Sequence, residues 1–210
     1  MFVLTEPEAK KLLLKYGINV PEFKLAKNKE EALKIGRELG YPLVMKIVSP
    51  DILHKSIANC VKLNLKSEQE IICGFEEIIK NAKKYKEDAR IDGVLLYKMV
   101  PEGVELIIGS IKDEVFGHVL MFGLGGSEVE KKRDISTRIL PVTVEDVLEM
   151  IAEIKGYEKL KKEIELDEIV DTIIKVSKMI EENPDIKELD INPLIISANT
   201  IYAVDARIIK

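Results

Sequence analysis

Two short runs near the C-terminal end of the chain constrain the fold most strongly, because both alternate apolar and polar residues and are rich in β-formers. The first run covers residues 188–195 and the second covers residues 202–207. Between them, Ser197-Ala-Asn-Thr200 has the composition of a turn, so the pair predicts a β-hairpin. If the pairing centres on this turn, with Ile196 facing Ile201, the register of the whole hairpin follows.

This register brings polar residues together. Asn192 lies directly opposite Asp205, and Asp190 lies directly opposite Arg207. Because successive side chains of a strand point to opposite faces, all four polar groups are expected on one face. The apolar residues expected on the other face are Ile191, Ile195, Tyr202 and Val204.

The opposed pair of Asn192 and Asp205 predicts a magnesium site. Directly opposed residues have Cβ atoms roughly 4.5–5.5 Å apart, so a carboxylate and an amide oxygen can both reach one hard cation. Mg²⁺ is commonly bound by one or two protein oxygens together with waters and substrate phosphates. The alternative is a pair of surface strands whose polar residues are solvated.

The composition excludes several classes of protein. The chain has 210 residues, 46% hydrophobic and 33% charged, which is typical of a globular protein with one large domain or two small subdomains. A net charge of −5, with both signs mixed along the chain, argues against a general nucleic-acid binder. No apolar run is long enough to span a membrane, and the N-terminus lacks the basic region of a signal peptide.

The cysteines and the charged residues bear on the location and source of the protein. Cys60 and Cys73 form neither a disulfide framework nor a recognisable metal motif. Together with the missing signal peptide, this favours a cytoplasmic protein. Many Lys, Glu and Ile residues, with Gln69 as the single Gln, favour a thermophilic source.

Helices and strands are mixed along the chain. Helices are predicted after the N-caps Thr5, Asn28, Ser67 and Thr143, and a fifth covers about residues 167–182. The predicted strands are 41–48, 60–65, 93–100, 105–111 and 118–122, followed by the C-terminal hairpin. This order is typical of an α+β protein in two subdomains. Pro101 and Gly103 interrupt the pattern, so we predict an N-terminal subdomain at 1–96, including the leading helix, and a C-terminal subdomain at 97–210.

Two residues, one in the first predicted strand (41–48) and one in the loop after it, are candidates for chemistry. Lys46 interrupts an apolar run, and a buried lysine is costly unless it meets an anion such as a nucleotide phosphate. The alternative for Lys46 is an edge-strand lysine whose ammonium reaches water. His54 lies in the following loop and could act as a general base or form a covalent intermediate. The alternative for His54 is a solvated loop residue.

A glycine-rich segment, Phe122-Gly-Leu-Gly-Gly126, follows a predicted strand. Three glycines in four positions permit positive φ and close approach of backbone N–H groups to phosphate oxygens. The segment is neither a Walker A loop nor a dinucleotide fingerprint, and a plain turn is the alternative.

Charged residues flank this segment. Glu105 begins an apolar strand shortly after Gly103, and Asp134, Ser136 and Arg138 alternate, so these three would share one face of an extended segment. Arg138 could bind a phosphate through two nitrogens. The alternative is an exposed strand face.

Taken in order, these segments resemble the ATP-grasp fold. Over nearly its whole length the chain is similar to the beta subunits of ADP-forming acetate–CoA ligases, which are NDP-forming acyl-CoA synthetases. The motifs that carry the resemblance are Gly40-Tyr-Pro-Leu-Val-Met-Lys-Ile-Val-Ser-Pro-Asp-Ile-Leu-His-Lys-Ser56, Val61-Lys-Leu-Asn-Leu65, Met99-Val-Pro-Glu-Gly-Val-Glu105, Val119-Leu-Met-Phe-Gly-Leu-Gly-Gly126, Glu188-Leu-Asp-Ile-Asn-Pro-Leu194 and Ala203-Val-Asp-Ala-Arg207.

The resemblance implies an ATP or ADP site between two α+β subdomains. The residues that it assigns to the nucleotide are Lys46 for the phosphates, Lys98, Met99 and Val100 in a hinge that binds adenine, Glu105 for the ribose, and Gly125 and Gly126 for the transferring phosphoryl group. It assigns Mg²⁺ to Asn192 and Asp205, in agreement with the hairpin register.

The resemblance also implies a reaction and a partner. His54 matches the histidine that accepts phosphate transiently in this family, and Glu130 and Arg138 match positions beside the phosphates. A partner alpha subunit is expected to carry the CoA and acid sites and a first phosphohistidine, so the protein is expected to be a hetero-oligomer. The implied net reaction is acyl-CoA + ADP + phosphate ⇌ acid + CoA + ATP.

Three departures from the family pattern leave alternatives open. Residues Ile57-Ala-Asn-Cys60 replace Asp-Val-Gly-Gly, Ser127-Glu128 replaces hydrophobic residues, and Lys98 replaces Glu. The first alternative is a divergent ATP-grasp subunit that uses a different acid or does not phosphorylate His54. The second is a non-catalytic subunit that binds nucleotide or serves as a scaffold.

Overall fold

The computed structural model describes residues 2–52, 54–126 and 134–210, and the chain divides into two compact units. Residues 21–99 form the smaller unit, and residues 1–20 with 100–210 form the larger one. The predicted division assigns the leading helix, α1 (Glu6–Lys15), to the N-terminal subdomain, whereas in the structure it belongs to the larger unit. The physical reason is that α1 packs against the last strand of the chain, and Val3 pairs with Ile209 beside it.

The smaller unit is an antiparallel sheet with two helices. Its elements are β1 (Phe23–Ala26), α2 (Lys29–Leu39), β2 (Leu43–Val48), β3 (Val61–Leu65), α3 (Glu68–Tyr85) and β4 (Gly93–Lys98). The strand order is β1-β4-β2-β3, so β2 and β4 are interior strands. Alternate residues of β2, at Leu43, Met45 and Ile47, join one core with Ile35 of α2 and Ile71 of α3.

The helices of this unit begin where their caps predict. The side chains of Asn28 and Ser67 accept hydrogen bonds from the backbone N–H groups of Glu31 and Glu70. These bonds satisfy amides that would otherwise lack an intrahelical partner. The predicted starts of α2 and α3 are therefore confirmed.

The larger unit contains the second sheet. Its remaining elements are β5 (Val104–Asp113), β6 (Gly117–Leu124), β7 (Ile135–Ile139), α4 (Val144–Glu153), α5 (Tyr157–Glu163), α6 (Leu166–Glu182), β8 (Glu188–Ser197), β9 (Thr200–Ala203) and β10 (Ala206–Ile209). The antiparallel strand order is β10-β8-β5-β6-β7, and β9 pairs with β8. The mixture of helices and sheets confirms the α+β prediction. Among the described residues, no helix is long and apolar enough to cross a lipid bilayer.

The pairing of β5, β6 and β7 defines two faces of this sheet. The helix face carries Leu106, Ile108, Leu120, Phe122, Ser136 and Arg138, and it packs against α4 and the start of α5. The opposite face carries the alternate residues Glu105, Ile107, Gly109, Met121, Gly123 and Thr137. The segment from Asp134 to Arg138 is extended as expected, and Ser136 and Arg138 share a face.

Strand β8 changes phase in its middle. Ile191 pairs with Ile108 and Leu194 pairs with Leu106, and all four are buried on the helix face. Two residues, Asn192 and Pro193, therefore stand between them opposite a single residue of β5. An extra residue of this kind is a β-bulge, and it lets apolar residues on both sides of it face the same core.

The bulge corrects one sequence prediction. Ile195 pairs with Glu105 on β5 and with Tyr202 on β9, so both Ile195 and Tyr202 lie on the opposite face rather than with Ile191. The hairpin partner changes phase at the same level, because Ala203 and Ala206 are both buried with two residues between them. Strict alternation fails because the core needs apolar residues from both ends of the hairpin.

Strand β7 is joined to α4 by charged groups. The guanidinium of Arg138 lies 2.7 Å from Oε1 of Glu153 and 3.5 Å from Oε2 of Glu149, and the Ser136 hydroxyl donates to Glu153. The hydrogen bonds from Arg138, followed by the one from Ser136, lower the pKa of Glu153 to about 2. Asp134 adds two further bonds, accepting from the N–H groups of residues 155 and 156 at 2.8 and 3.1 Å.

Replacing Gly103 by Ala is expected to destabilise the larger unit by about 1–3 kcal/mol, the usual cost of overpacking. A Cβ at this position would lie 1.8 Å from the backbone oxygen of Ile196, so β8 must shift. The change would be measured as a lower midpoint of urea-induced unfolding.

Gly74→Ala is the control, because it is expected to stabilise the protein rather than destabilise it. Gly74 lies inside α3, and its added Cβ would make ordinary contacts at 3.6 Å and beyond. We expect a gain of about 0.5–1 kcal/mol from the higher helix propensity of Ala. An unchanged midpoint for Gly103→Ala would contradict the close approach of β8.

The Arg138–Glu153 pair predicts a pH-dependent effect of Glu153→Gln. The folded-state pKa lies below the ordinary value of 4.5, so the stabilisation is complete above about pH 4.5 and disappears as the pH falls towards about 2. The variant should therefore unfold at lower urea than the wild type at pH 7, and the gap should close in acid. Glu114→Gln, in the exposed β5–β6 turn, should show no such gap, and a pH-independent difference for Glu153→Gln would contradict the assignment.

Candidate functional site

The glycine-rich segment folds against Glu105. The Gly125 N–H donates to the backbone oxygen of Glu105 at 2.7 Å, and a Cβ on Gly125 would lie 3.1 Å from the Glu105 Cβ. Gly126 has φ +92°, and a Cβ there would lie 3.4 Å from Oε2 of Glu105. Both positions therefore favour glycine, one for close approach and one for its left-handed backbone. The exposed Glu105 carboxylate stands beside a glycine turn, as a site for a polar ligand requires.

Asn192 and Asp205 face each other across the hairpin. The observed pairs Ile196–Ile201 and Asp190–Arg207 confirm the predicted register on both sides of them. Between these pairs, the Asn192 N–H donates to the backbone oxygen of Asp205 at 3.3 Å. Both residues are half-buried and lie where the two strands change phase.

The donor chemistry of this pair fits magnesium. One amide oxygen and one carboxylate are hard oxygen ligands, and Mg²⁺ completes its shell with waters and phosphates. Zinc sites instead need three or four His, Cys or acidic ligands. In the described ranges, which omit residues 53 and 127–133, no group of three or more His, Cys, Asp or Glu side chains could hold a metal ion. The pair is therefore suited to a cation that arrives with its own oxygen ligands.

The distance between these two clusters follows from β8. Ile195 is the residue opposite Glu105, and Asn192 lies three positions before it. Three residues of chain span at most about 11 Å, and the bulge shortens this distance, so the two points on β8 lie within about 11 Å of each other. In the larger unit, Glu105 and its glycine turn thus lie on the same sheet as the Asn192–Asp205 pair, on neighbouring parts of it.

Arg138 is not brought to this cluster. Side chains alternate between sheet faces, and Arg138 lies on the helix face with Glu153 and Glu149, whereas Glu105 lies on the opposite face. Its role beside the phosphates stays a prediction. The candidate Glu130, with Ser127 and Glu128, lies outside the described residues.

Lys46 occupies a buried position in the smaller unit. It is only 6% exposed on the interior strand β2, which excludes an edge-strand lysine that reaches water along the sheet edge. Its neighbours Met45 and Ile47 point into the helix-covered core, so Lys46 faces the other side of the sheet. Its Nζ lies 5.3 Å from the ring centroid of Tyr97, within range of a cation–π contact.

Tyr97 was not predicted as a neighbour of Lys46. The signal that could have found it is the pairing of the two apolar strands 43–48 and 93–98, which places Val44 opposite Tyr97 and Lys46 opposite Leu95. Sequence alone does not say that these strands are adjacent, because 44 residues separate them.

The predicted adenine hinge lies at the boundary between the units. Lys98 ends β4 with an exposed side chain, the Met99 N–H donates to the backbone oxygen of Pro42 at 2.9 Å, and Val100 is buried. The chain passes from the smaller unit to the larger one between Met99 and Val100. The proposed hinge and the boundary therefore coincide.

His54 is exposed in the loop between β2 and β3. The loop turns back on itself, with the Ala58 N–H donating to the His54 oxygen at 3.1 Å. Asn59 has φ +51°, a left-handed conformation that asparagine tolerates better than most side chains. Asn59 therefore supports a turn where the family pattern has glycine, and Ile57 at the tip is 72% exposed.

Comparison with known proteins agrees with this geometry. A family model described as an ATP-grasp domain matches residues 2–209. The beta subunit of an acetate–CoA ligase [ADP-forming] I from Pyrococcus furiosus is 51% identical over 211 residues, covering 98% of this chain and 91% of that subunit.

Two solved structures of the dinucleotide forming acetyl-coenzyme A synthetase 1 from Ca. Korarchaeum cryptofilum are similar in fold. The structure with coenzyme A, Ca-AMPCP and HgCl+ is 44% identical, with a TM-score of 0.95 over 99% of this chain and 93% of that chain. The structure with coenzyme A and Mg-AMPPCP, whose phosphohistidine segment points towards the nucleotide binding site, is 42% identical, with a TM-score of 0.84 over 99% and 92%. The chain therefore belongs to the ATP-grasp family and, within it, to the beta subunits of ADP-forming acetate–CoA ligases.

Proposed function

We propose that this chain is the nucleotide-binding subunit of an ADP-forming acyl-CoA synthetase, which catalyses acyl-CoA + ADP + phosphate ⇌ acid + CoA + ATP. The observation that carries the proposal is the pairing of Asn192 with Asp205, which offers an amide and a carboxylate oxygen to a nucleotide-bound cation. The 51% identity to a ligase beta subunit over nearly the whole chain supports the reaction class.

Each unit, taken by itself, carries residues that this proposal assigns to the nucleotide. In the larger unit, the exposed Glu105 carboxylate accepts hydrogen bonds from the ribose hydroxyls, and the Gly126 N–H approaches the phosphates, while Gly125, whose N–H is bonded to the Glu105 oxygen, allows the close packing of the turn. In the smaller unit, the buried Lys46 ammonium neutralises phosphate charge, and backbone groups of Lys98, Met99 and Val100 bind the adenine. The interior of a protein screens charge less than water does, so a buried ammonium attracts a phosphate more strongly than a solvated one. We therefore expect the buried Lys46 to contribute strongly to phosphate binding.

Asn192 and Asp205 would hold Mg²⁺ together with the phosphate oxygens. When bound, the cation neutralises the charge that develops on the transferring phosphoryl group. The protein supplies the two opposed ligands and holds their separation through the hairpin backbone.

His54 carries the phosphoryl group in this scheme. In the direction of ATP synthesis, an oxygen of the ADP β-phosphate attacks the phosphorus on His54, the N–P bond breaks, and the imidazole nitrogen takes up a proton. A solved structure of a related synthetase has a phosphohistidine segment that points towards its nucleotide binding site, which supports phosphohistidine chemistry for this family. The assignment to His54 rests on the resemblance of the sequence around it.

A partner subunit is implied by the beta-subunit naming of the relatives. We propose that this partner is an alpha subunit that carries the CoA and acid sites and a first phosphohistidine, so that the active protein is a hetero-oligomer. This division of the binding sites between two subunits explains why the described part of this chain contains a candidate nucleotide site but no assigned site for the acid.

Asn192→Ala and Asp205→Asn should each weaken binding of ADP in the presence of Mg²⁺ by at least about tenfold, because even outer partners of metal sites contribute 10- to 100-fold. Calorimetric titration with ADP, with and without Mg²⁺, would measure this. Binding without Mg²⁺ should change little.

Asp167→Asn, at an exposed position in the first turn of α6, is the matched control and should bind as the wild type does. Unchanged Mg²⁺-dependent affinity in both site variants, or unchanged ATP synthesis by Asn192→Ala with the alpha subunit, would remove the proposed metal site.

His54→Ala should abolish transfer of the γ-phosphate of labelled ATP to the chain, while ADP binding stays within about twofold of wild type, because His54 is assigned to transfer only. His118→Asn is the matched control, since His118 is the other histidine of the chain and should leave the label in place. Full acyl-CoA-dependent turnover by His54→Ala would instead favour a divergent subunit without a phosphohistidine.

A further inference from the structure

The start of the His54 loop is held by one carboxylate. Oδ2 of Asp51 accepts the N–H of Arg90 at 2.7 Å, and Oδ1 lies 3.2 Å from Nζ of Lys86. The Asp51 N–H donates in turn to Oγ of Ser49 at 3.1 Å. Asp51 thus attaches the chain, three residues before His54, to the segment that follows α3.

The end of the loop is held separately. Cys60 is fully buried, and its backbone oxygen accepts the N–H of Ile47 at 3.0 Å. Next to it, the Asn59 oxygen accepts Nδ2 of Asn81 at 2.9 Å. The loop is therefore attached at both ends, with the exposed His54 between them.

The two attachments limit the reach of His54 unequally. Three residues separate it from Asp51 and five from Asn59, and a chain spans at most about 3.6 Å per residue. The Cα of His54 must therefore stay within about 11 Å of Asp51 and within about 18 Å of Asn59. Ile52, two residues before His54, is also buried in the core of the smaller unit, so the bonds of Asp51 and the packing of Ile52 together hold the start of the loop.

We propose that Asp51 is a positioning residue for His54: its bonds to Arg90 and Lys86 keep the phosphate-accepting imidazole within a small volume during transfer. This inference rests on the proposed function of His54. The roles proposed for Lys46, Asn192 and Asp205 do not depend on this inference.

The charge state of Asp51 supports a permanent attachment. The N–H of Arg90, followed by the Lys86 ammonium, lowers the pKa of the Asp51 carboxyl below its ordinary value. The group therefore stays ionised at neutral pH, and an ionised carboxylate accepts hydrogen bonds more strongly than a neutral acid does.

Removal of the Asp51 side chain leaves the start of the loop without its hydrogen-bonded attachment. With Asp51→Ala, the nearest hydrogen-bonded attachment before the loop is Val48, six residues from His54, whose oxygen accepts the Asp92 N–H, and the packing of Ile52 is left to hold the chain between them. When that packing opens, the free length of chain before His54 doubles from three residues to six. A flexible-chain estimate, in which local concentration falls as the −3/2 power of length, gives about threefold for a doubled length.

The reacting step is transfer from ATP to His54. The imidazole nitrogen attacks the γ-phosphorus, an N–P bond forms, the bond to the β–γ bridging oxygen breaks, ADP leaves and the imidazole releases its proton. We would measure the initial rate at which the full chain takes up label from [γ-³²P]ATP with Mg²⁺. We expect Asp51→Ala to lower this rate by up to about threefold and to leave ADP affinity unchanged.

Three further variants separate positioning from folding. Asp51→Asn keeps an acceptor for the Arg90 N–H and should restore most of the rate. Asn81→Ala releases Asn59 but leaves the shorter limit intact, so it should label as the wild type does. Asp88→Ala removes an exposed carboxylate from the segment that includes Arg90 and should also be neutral.

Hydrogen exchange reports the attachment without any catalysis. In Asp51→Ala, the Arg90 amide loses its acceptor and should exchange faster, together with the Ala58 and Cys60 amides that close the loop. If Arg90 exchange is unchanged, or if it rises while His54 is labelled at the wild-type rate, the positioning role is overturned and the proposed function stands. If the wild-type chain takes no label at His54, the proposed function and this inference both fail.

Discussion

The bulge in β8 is the constraint on which the larger unit depends. The hairpin must bury apolar residues against the helices at both of its ends, and a regular strand of this sequence would turn half of them to the other face. The bulge resolves this conflict because two residues of β8 stand opposite a single residue of β5. As a result, Ile191 and Leu194 both face the core. The same adjustment leaves Asn192 opposite Asp205, outside the core and half-buried. A packing requirement thus creates the place where two polar side chains face each other.

The charged residues divide into those that stabilise the fold and those that remain for a ligand. Arg138 bridges β7 and α4, and its hydrogen bonds lower the pKa of the Glu153 carboxyl to about 2. Asp134 serves the same junction by accepting two backbone N–H groups. Glu105, by contrast, has an exposed side chain next to a glycine turn. Similar spacing in the sequence therefore leads to different roles, because the two groups lie on different faces of one sheet.

Much of the fold follows from local patterns, and the errors have identifiable causes. Caps such as Asn28 and Ser67 locate helix starts because the bonds they make are local. The hairpin register follows from its turn, but the grouping of Ile195 with Ile191 fails because a bulge responds to the whole core. The first 20 residues group with the larger unit in the structure, which the sequence does not indicate because their partner β10 lies at the far end of the chain. Strand β1 and helix α5 were not predicted because they have only four and seven residues.

Asn59 has a consequence for the ensemble of the unfolded chain. A glycine at this position would adopt many backbone conformations when unfolded and would give up all but one of them on folding. Asparagine reaches the same left-handed turn, at φ +51°, from a narrower set of conformations. The loop before β3 therefore forms at a smaller loss of conformational entropy, and its backbone is biased towards the folded turn before any nucleotide arrives.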